Sequence, residues 1–318
     1  MIGAGGHSTR NIYPCFQNLS GATVAANADL DLKKAQDRAQ RFGIPASYRD
    51  YHEMLEKEKP DGVVVCVGPA FHGKAAVDIM EQGYHVYTEK PPAEDLAGCR
   101  RMVEVHKKTG KICMTALKKR FAPAYVKARA LLDSGKHGTP AMLNIMRTSG
   151  EYKHGDPDKY ILDSSIHIVD LAVYLGGPIS SVSGTSGPGA SYCLSLAFAK
   201  GATGSMAMTD RMSYKRGWED VTVVTTDGLC IQVDNSVEML AIKHDQPVAG
   251  HKPEFVAGSS HSSIEMGFLG ELQAFVNAVA DNDPEPEASI TQVIYSMAAI
   301  GAMREAVKTG KIVTVEKL

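Results

Sequence analysis

A lysine follows a short apolar run in the first third of the chain, and two prolines follow the lysine. The segment is Glu89-Lys90-Pro91-Pro92, directly after Tyr84-His85-Val86-Tyr87. Because prolines fix φ and remove backbone donors, they end the strand that the apolar run predicts and hold Lys90 on a turn. Open α/β sheets bind ligands and do chemistry at the carboxyl ends of their strands. A solvated surface lysine before a proline turn is the alternative interpretation.

An aspartate and a histidine four residues apart form the second candidate for chemistry. Asp163 and His167 precede the apolar stretch Leu171–Tyr174. On one helix they would share a face, and Asp163 near the N-terminus would favour the helix dipole. An aspartate beside a histidine orients the ring and raises its basicity, as a general base requires. A helix cap with a buried histidine is the alternative, and we interpret Asp170 as structural.

A glycine-rich turn lies at the start of the chain. The segment Gly3-Ala4-Gly5-Gly6-His7-Ser8 fits the dinucleotide pattern GxGxx followed by a small residue. Such glycines let the backbone approach a pyrophosphate, and an acidic residue roughly 20 residues on meets the ribose. Asp29, after the second predicted strand at Ala22–Ala26, suits that role, although a turn or cap aspartate is the alternative. Leu30 follows it and no arginine stands there for a 2′-phosphate, which favours NAD over NADP.

Two more candidate residues lie at the same predicted edge of the parallel sheet. Pro69 and His72 follow the third predicted strand and are candidates to line a cofactor cleft, with a histidine in a first helical turn as the alternative for His72.

Only Met1 and Ile2 precede Gly3. A glycine turn of this kind normally follows a full strand, so we expect the true translation start to lie upstream.

Composition excludes several classes of function. The 34 basic and 36 acidic residues nearly balance, which argues against nucleic acid or a membrane surface as partner and favours a small molecule. Six cysteines without CxxC pairs predict reduced thiols in a cytoplasmic protein. No apolar stretch reaches the roughly 20 residues of a bilayer span, and no signal peptide is visible.

Three histidines, His244, His251 and His261, lack the spacing of metal ligands. We interpret the polar loop that contains them as a lid or subunit contact.

The elements that position these residues change character near residue 120. Before it, apolar strand runs alternate with helical patterns, which predicts βαβ units, a parallel sheet and an α/β fold. After it, alternating β-rich runs joined by short turns such as Lys200-Gly201 and Asp227-Gly228 predict a mostly antiparallel sheet with one free face. We therefore predict domains at 1–120 and 121–287. The free face suits a homodimer or homotetramer.

Together these motifs resemble the Gfo/Idh/MocA family, the glucose-fructose oxidoreductase and inositol dehydrogenase group. The matching motifs are GAGG near the start, Asp29, Pro69 and His72, HVYTEKP at residues 85–91, Arg120-Phe121-Ala122-Pro123, and DSSIHIVD at residues 163–170. The resemblance implies an N-terminal Rossmann domain, a C-terminal α/β domain with a large open sheet, and a final helix, residues 288–318, that packs back on the first domain. It also implies reversible hydride transfer on a hydroxyl carbon of a sugar or cyclitol.

The resemblance also assigns roles to residues. Lys90 contacts the substrate oxygen and the nicotinamide, His167 is the general base, and Asp163 orients it. The implied cofactor contacts are Gly3, Gly5, Gly6, His7, Asp29, Pro69, His72, Glu89, Lys90 and Arg120. The implied substrate contacts are Lys90, Tyr152, His154, Tyr160, Asp163 and His167. Lys159-Tyr160-Ile161-Leu162 stands where the family often has a glycine-rich run, so no particular substrate carries over.

Three functions compete at this point. The leading one is an NAD-dependent sugar or polyol dehydrogenase. The second is an NAD-dependent, redox-assisted glycosidase, and the third is a non-enzymatic, nucleotide-sensing regulator of the same fold. The presence of Lys90, Asp163 and His167 favours an enzyme.

Overall fold

The computed structural model describes residues 1–153, 156–157, 159–213, 217–253 and 260–318. The chain forms two compact units: Met1–Leu117 with Phe268–Ile294, and Lys118–Gly267 with Tyr295–Leu318. The predicted α/β class is confirmed. The division near residue 120 lies close to the observed one, but the units differ from the predicted domains after residue 267.

The helices and strands are numbered along the chain. The helices are α1 Tyr13–Phe16, α2 Leu32–Phe42, α3 Tyr51–Glu58, α4 Pro69–Glu81, α5 Leu96–Thr109, α6 Pro123–Asp133, α7 Lys159–Asp163, α8 Ile166–Gly176, α9 Ser260–Glu265, α10 Phe268–Asp281 and α11 Ile290–Thr309. The strands are β1 Ala26–Ala28, β2 Ala46–Tyr48, β3 Gly62–Val65, β4 His85–Thr88, β5 Cys113–Thr115, β6 Pro140–Thr148, β7 Ile179–Gly187, β8 Ser191–Phe198, β9 Thr203–Thr209, β10 Trp218–Thr225, β11 Cys230–Asp234, β12 Glu238–Lys243, β13 Gln246–His251 and β14 Val313–Thr314. A π-helical turn, Ser8–Ile12, precedes α1, and a 3₁₀ turn, Lys118–Phe121, precedes α6.

A parallel sheet forms the core of the first unit. Strands β1 and β2 pair in parallel, as do β3, β4 and β5 in that order. Ile2 makes parallel bridges to Ala28 and to Val65, so a single residue joins the two groups of strands. The resulting order, with Ile2 in the place of the first strand, is that of a dinucleotide-binding sheet.

Local capping explains where helices α2 and α5 of this unit begin and end. The Asp31 side chain accepts a hydrogen bond from the Lys34 amide at the start of α2, and Gly43 ends that helix in the left-handed region at φ 69°. Asp95 and Gly110 do the same for α5. Aspartate satisfies free amides at an N-terminus, and glycine adopts positive φ without steric cost.

The segments after residue 267 pair differently from the prediction. We expected α10 in the second domain, but its Phe275 ring packs against Gly62 of β3 and lies 5.8 Å from the Tyr87 ring of β4. We expected residues 288–318 to pack back on the first domain. Residues up to Ile294 belong to the first unit, whereas Tyr295–Leu318 belong to the second, where β14 pairs with β7. Apolar spacing along a helix predicts a buried face without identifying the surface that covers it.

A nine-stranded sheet forms most of the described second unit. Its order is β13-β12-β11-β10-β6-β9-β8-β7-β14, and every neighbouring pair is antiparallel except β6 with β9. Helices α6 and α8 cover one face. Side chains alternate along β8, where Tyr192 and Leu194 are buried while Cys193 and Ser195 are exposed. The predicted antiparallel sheet with one free face is present.

The open face of this sheet carries one exposed thiol. Cys193 lies there beside Ala207 of β9, which pairs with Met146 of β6, and we call this side the open face. The cysteines at positions 15, 66, 99 and 113 are buried and all six are free thiols, as predicted for reduced cysteines. Burial raises the pKa of Cys15 and of Cys99 to about 12.

Two local predictions are wrong. We expected a strand at Ala22–Ala26, but β1 is Ala26–Ala28, where Met1, Ile2 and β2 supply backbone partners. We expected a polar loop around His244 and His251, but the chain there forms the hairpin β12–β13. His244 and Asp245 both adopt positive φ, 53° and 59°, as a tight hairpin turn requires. Of the remaining predicted loop, residues 254–259 lie outside the described residues.

A buried ion pair joins the 3₁₀ turn to the sheet of the second unit. The Lys119 ammonium contacts both carboxylate oxygens of Glu219 in β10, and it donates to the Ser236 hydroxyl at 3.0 Å. Lys119 is 7% exposed and Glu219 is 6% exposed. Burial raises the pKa of Glu219, but the charge and hydrogen bond of Lys119 outweigh it and lower the pKa overall. The carboxylate is therefore charged inside the unit.

We expect Glu219→Gln to lower the free energy of unfolding by about 3–5 kcal/mol, because the Lys119 charge would stay buried without its counter-ion. Urea unfolding at neutral pH measures this. The control is Asp37→Asn, which breaks the exposed Lys33–Asp37 pair and should cost about 0.5 kcal/mol or less. Equal losses in the two variants would contradict the interpretation.

Candidate functional site

The glycine turn and Asp29 meet at the carboxyl edge of the parallel sheet. The Asp29 carboxylate accepts hydrogen bonds from the Ala4 amide at 2.7 Å and from the Asp31 amide at 2.9 Å. Asp31, not Asp29, caps α2. The bond to Ala4 therefore fixes an acidic side chain beside the glycine turn, as the sequence pattern predicts.

The glycines of this turn differ in what surrounds them. Gly3 has φ 103°, and a Cβ placed on it would lie 2.0 Å from the Cys66 carbonyl oxygen. At Gly5 and Gly6, a Cβ would meet nothing within 4 Å. Gly3 is therefore required by the fold itself. The backbone at Gly5 and Gly6 faces open space, where a phosphate group can approach closely.

The turn that carries Lys90 is tied to the glycine turn through Glu89. The Glu89 carboxylate contacts His7 Nε2 at 3.0 Å and accepts a hydrogen bond from the Lys90 amide at 3.2 Å. Glu89 is 5% exposed. Burial raises its pKa, but the hydrogen bond from His7 and the charges of His7 and Lys90 outweigh this and lower the pKa. Glu89 is thus a buried, ionised carboxylate that connects the glycine turn to the Lys90 turn.

His72 holds the other side of the same turn. It lies in the first turn of α4, three residues after Pro69, and is 1% exposed. Its Nδ1 lies 2.9 Å from the Pro91 carbonyl oxygen, and its Nε2 lies 3.1 Å from that of Val67. Burial lowers the pKa of His72. The ring connects the end of β3 to the Lys90–Pro91 turn, and its contact with a cofactor stays a prediction, as does that of Pro69.

The segment from Asp163 to His167 is not one helix, so that prediction is wrong. Asp163 is the last residue of α7, and His167 is the second residue of α8. The amides of Ser164 and Ser165 both donate to the Tyr160 carbonyl oxygen, which closes α7 before Ser165 begins the next helix. The two side chains therefore belong to separate helices that meet at a serine turn.

Asp163 has a partner that lies outside its own motif. The Tyr152 hydroxyl donates to Asp163 Oδ2 at 2.5 Å. The Tyr152 ring packs edge-on against the Tyr160 ring at 5.6 Å, and the Tyr160 hydroxyl lies 2.8 Å from the Ser149 hydroxyl. Two of the predicted substrate contacts thus lie beside Asp163. His154 lies outside the described residues.

Arg120 is engaged within the second unit. Its guanidinium makes a two-pronged ion pair with Asp170 of α8, at 2.8 Å and 2.7 Å. Both side chains are buried, and the Ser296 hydroxyl donates to Asp170 at 2.8 Å. The structural interpretation of Asp170 agrees with this. The predicted contact of Arg120 with a cofactor stays a prediction.

Sequence reasoning missed two charged residues near Asp163. Arg147 of β6 lies over the Tyr160 ring, 5.8 Å from its centroid, and its Nη1 is 3.4 Å from the Ser165 hydroxyl. Asp210, just after β9, accepts a hydrogen bond from the Tyr152 amide at 3.0 Å. Neither belongs to a local motif, and only the sheet register brings them to this place. Among the described residues, no group of three or more metal-ligating side chains is suited to hold a metal ion.

The comparisons with known proteins agree with this arrangement. Residues 1–117 match the model of the GFO_IDH_MocA oxidoreductase family, described as having an NAD-binding Rossmann fold. Residues 1–117 are therefore similar to this family. The match covers the parallel sheet, the open glycine turn and the Lys90 turn. An NAD-type dinucleotide fits the residues present, because the backbone at Gly5 and Gly6 is open and Asp29 stands beside it.

Similar proteins are dehydrogenases of inositols. Inositol 2-dehydrogenase of Salmonella paratyphi B is 27% identical over 181 residues, 55% of this chain and 53% of that protein. The chain thus matches about half the length of this relative. Myo-inositol 2-dehydrogenase of Thermotoga maritima is 24% identical over 285 residues, 84% of this chain and 83% of that protein.

A solved structure shares the fold of the whole chain. It is an oxidoreductase from Agrobacterium radiobacter in complex with NAD+, L-tartaric acid and magnesium. It has a TM-score of 0.84 at 18% identity and covers 99% of this chain and 97% of that chain. At this identity the likeness confirms the fold alone. No helix in the described ranges is both long and apolar enough to cross a membrane.

Glu89 should make stability depend on acid pH. Its pKa is lower in the folded chain than the ordinary 4.5, so its contribution is complete above that pH and is lost as pH falls through the folded value. We expect the free energy of unfolding to fall less steeply from about pH 5 to about pH 3 in Glu89→Gln than in the wild type.

Denaturant unfolding at several pH values measures this slope. The control is Glu104→Gln, because the Glu104 side chain is 68% exposed. The free energy of unfolding of Glu104→Gln should fall with pH as steeply as that of the wild type. Parallel curves for all three proteins would show that the Glu89–His7 contact does not hold an ionised carboxylate.

Proposed function

We propose that the protein is an NAD-dependent oxidoreductase that transfers a hydride between a hydroxyl carbon of a sugar or cyclitol and the nicotinamide ring. The observation that carries the proposal is the bond from Ala4 to Asp29 beside the open backbone of Gly5 and Gly6. The inositol dehydrogenases among the relatives support a cyclitol or related polyol as substrate.

The choice of NAD over NADP rests on charge. Asp29 and Asp31 both stand at the end of β1, and Leu30 between them is 86% exposed. A 2′-phosphate would face two carboxylates here, whereas a ribose hydroxyl can donate a hydrogen bond to Asp29. We expect NAD to be used at much lower concentration than NADP.

The catalytic roles follow from the chemistry of each side chain. The bound nicotinamide supplies the hydride acceptor. His167 takes the hydroxyl proton of the substrate, and Asp163 orients the substrate or the imidazole. The Lys90 ammonium stabilises negative charge that develops on the substrate oxygen. Glu89, at the neighbouring position, holds the turn that presents Lys90.

We also propose a homodimer or homotetramer that forms through the open face. Its exposed apolar side chains include Trp218 of β10 and Leu240 of β12, at 49% and 40% exposure. Both alternate with buried neighbours on their strands. Exposed apolar patches on a sheet favour association. Light scattering of the wild type and of Trp218→Lys would measure the subunit number.

Turnover tests the reaction class. We expect NADH to accumulate with NAD+ and at least one of myo-inositol, scyllo-inositol, D-glucose or D-glucuronate, and we expect His167→Ala to lower kcat by about 10²–10⁴-fold. Absorbance of the reduced nicotinamide measures both. Glycoside cleavage without net NADH would favour the redox-assisted hydrolase, and full function in Lys90→Ala would favour the regulator.

Binding tests the dinucleotide site without turnover. We expect Gly5→Val to lower NAD+ affinity at least tenfold, because the side chain fills the space for a pyrophosphate, while the melting temperature barely changes because that space is open. Calorimetric titration and thermal unfolding measure the two quantities. As contrast, Gly3→Ala should lower the melting temperature through its clash with Cys66. Unchanged NAD+ affinity in Gly5→Val would place the dinucleotide elsewhere.

A further inference from the structure

The described residues around Asp163 form a chain of hydrogen bonds that begins at a buried carboxylate. Asp210 is 4% exposed and directly follows β9. Its Oδ1 accepts a hydrogen bond from the Ala190 amide at 3.1 Å, and its Oδ2 accepts one from the Tyr152 amide at 3.0 Å. One buried side chain thus fixes both the β7–β8 turn and the backbone of Tyr152.

The Tyr152 side chain continues this chain to the proposed site. Its hydroxyl donates to Asp163 at 2.5 Å, and its ring packs edge-on against Tyr160. Tyr160 is 0% exposed, and its hydroxyl also lies 3.3 Å from the Thr209 carbonyl oxygen of β9. Backbone and ring of Tyr152 are therefore both held by the end of β9, directly or through Tyr160.

The Tyr152 hydroxyl acts as a donor at all ordinary pH values. Burial raises the pKa of Tyr152, and the hydrogen bond to Asp163 and its charge raise it further. A phenol that stays protonated can give its hydrogen to a carboxylate but cannot serve as the proton acceptor of the reaction. A bond from a neutral donor to a charged acceptor is short and directional, so it restricts the carboxylate to one orientation.

We propose that Tyr152 is a positioning residue that orients Asp163 for catalysis, and that Asp210 sets the place of Tyr152. This rests on the proposed function. It replaces the direct substrate contact that the sequence alone suggests for Tyr152. Such a support suits the break between α7 and α8, because Asp163 ends a five-residue helix and does not lie inside the helix that carries His167.

A kinetic split distinguishes positioning from substrate binding. With NAD+ and myo-inositol, we expect Tyr152→Phe to lower kcat about tenfold or more while the KM for myo-inositol and the Kd for NAD+ stay unchanged. The deuterium isotope effect on kcat with 2-deuterated myo-inositol should rise, because hydride transfer becomes more rate-limiting. A loss of folded enzyme alone would scale kcat without changing the isotope effect. A raised KM with unchanged kcat would overturn the proposal in favour of a substrate contact.

A matched control is available in the first unit. The Tyr51 hydroxyl donates to Asp78 at 2.7 Å, and the pKa of Tyr51 is likewise raised by burial and by that bond. Tyr51→Phe removes the same chemical group from the same kind of bond, in a helix that carries none of the proposed catalytic residues. It should leave kcat and the isotope effect unchanged. Equal losses of kcat in the two variants would overturn the positioning role.

A double-mutant cycle tests the contact without substrate or cofactor. We expect the shifts in urea midpoint of Tyr152→Phe and Asp163→Ala to be non-additive, because each removes one partner of the same bond. The control pair, Tyr51→Phe with Asp163→Ala, should be additive. Additive shifts in the first cycle would overturn the proposal. Absence of NADH production with every polyol tested would instead refute the dehydrogenase function, while the cycle still decides the contact.

Discussion

The geometry of the first unit depends on keeping the Glu89 carboxylate charged while it is buried. Burial of a charge costs several kcal/mol unless hydrogen bonds and opposite charge replace the lost water. His7 supplies one bond from the glycine turn, and the Lys90 amide supplies another from the following turn. The interactions that keep Glu89 ionised therefore also fix the distance between a dinucleotide-type turn and the lysine.

The second unit also buries charged carboxylates, and two adjacent cations, Lys119 and Arg120, pair with them. Lys119 contacts Glu219 of the sheet, while Arg120 pairs with Asp170 of α8. Because the two residues are neighbours in a 3₁₀ turn, one turn links the sheet to the helix that carries His167. The removal of either carboxylate would leave a buried positive charge, so the position of α8 is tied to charge balance as well as to apolar packing.

Sequence reasoning succeeded where structure is local and failed where it depends on distant partners. Helix α2 is an example of local structure, because Asp31 and Gly43 mark its ends in the chain itself. The glycine turn and Asp29 were found because the pattern has a fixed spacing. The contacts of Glu89 with His7, 82 residues away, and of Arg120 with Asp170, 50 residues away, leave no local signal. Helix α10 also lacks a local signal for its partner, because its apolar stripe predicts a buried face and does not predict which sheet covers that face.

The six cysteine thiols differ in solvent exposure and therefore in reactivity. Four cysteines are buried, and burial raises the pKa of each, so almost none of their sulfur is thiolate at neutral pH. Cys230 is half-buried and its pKa is also raised. Cys193 alone among the six is exposed, and it stands on the open face. A maleimide dye would thus mark that face in a free subunit and spare the interior.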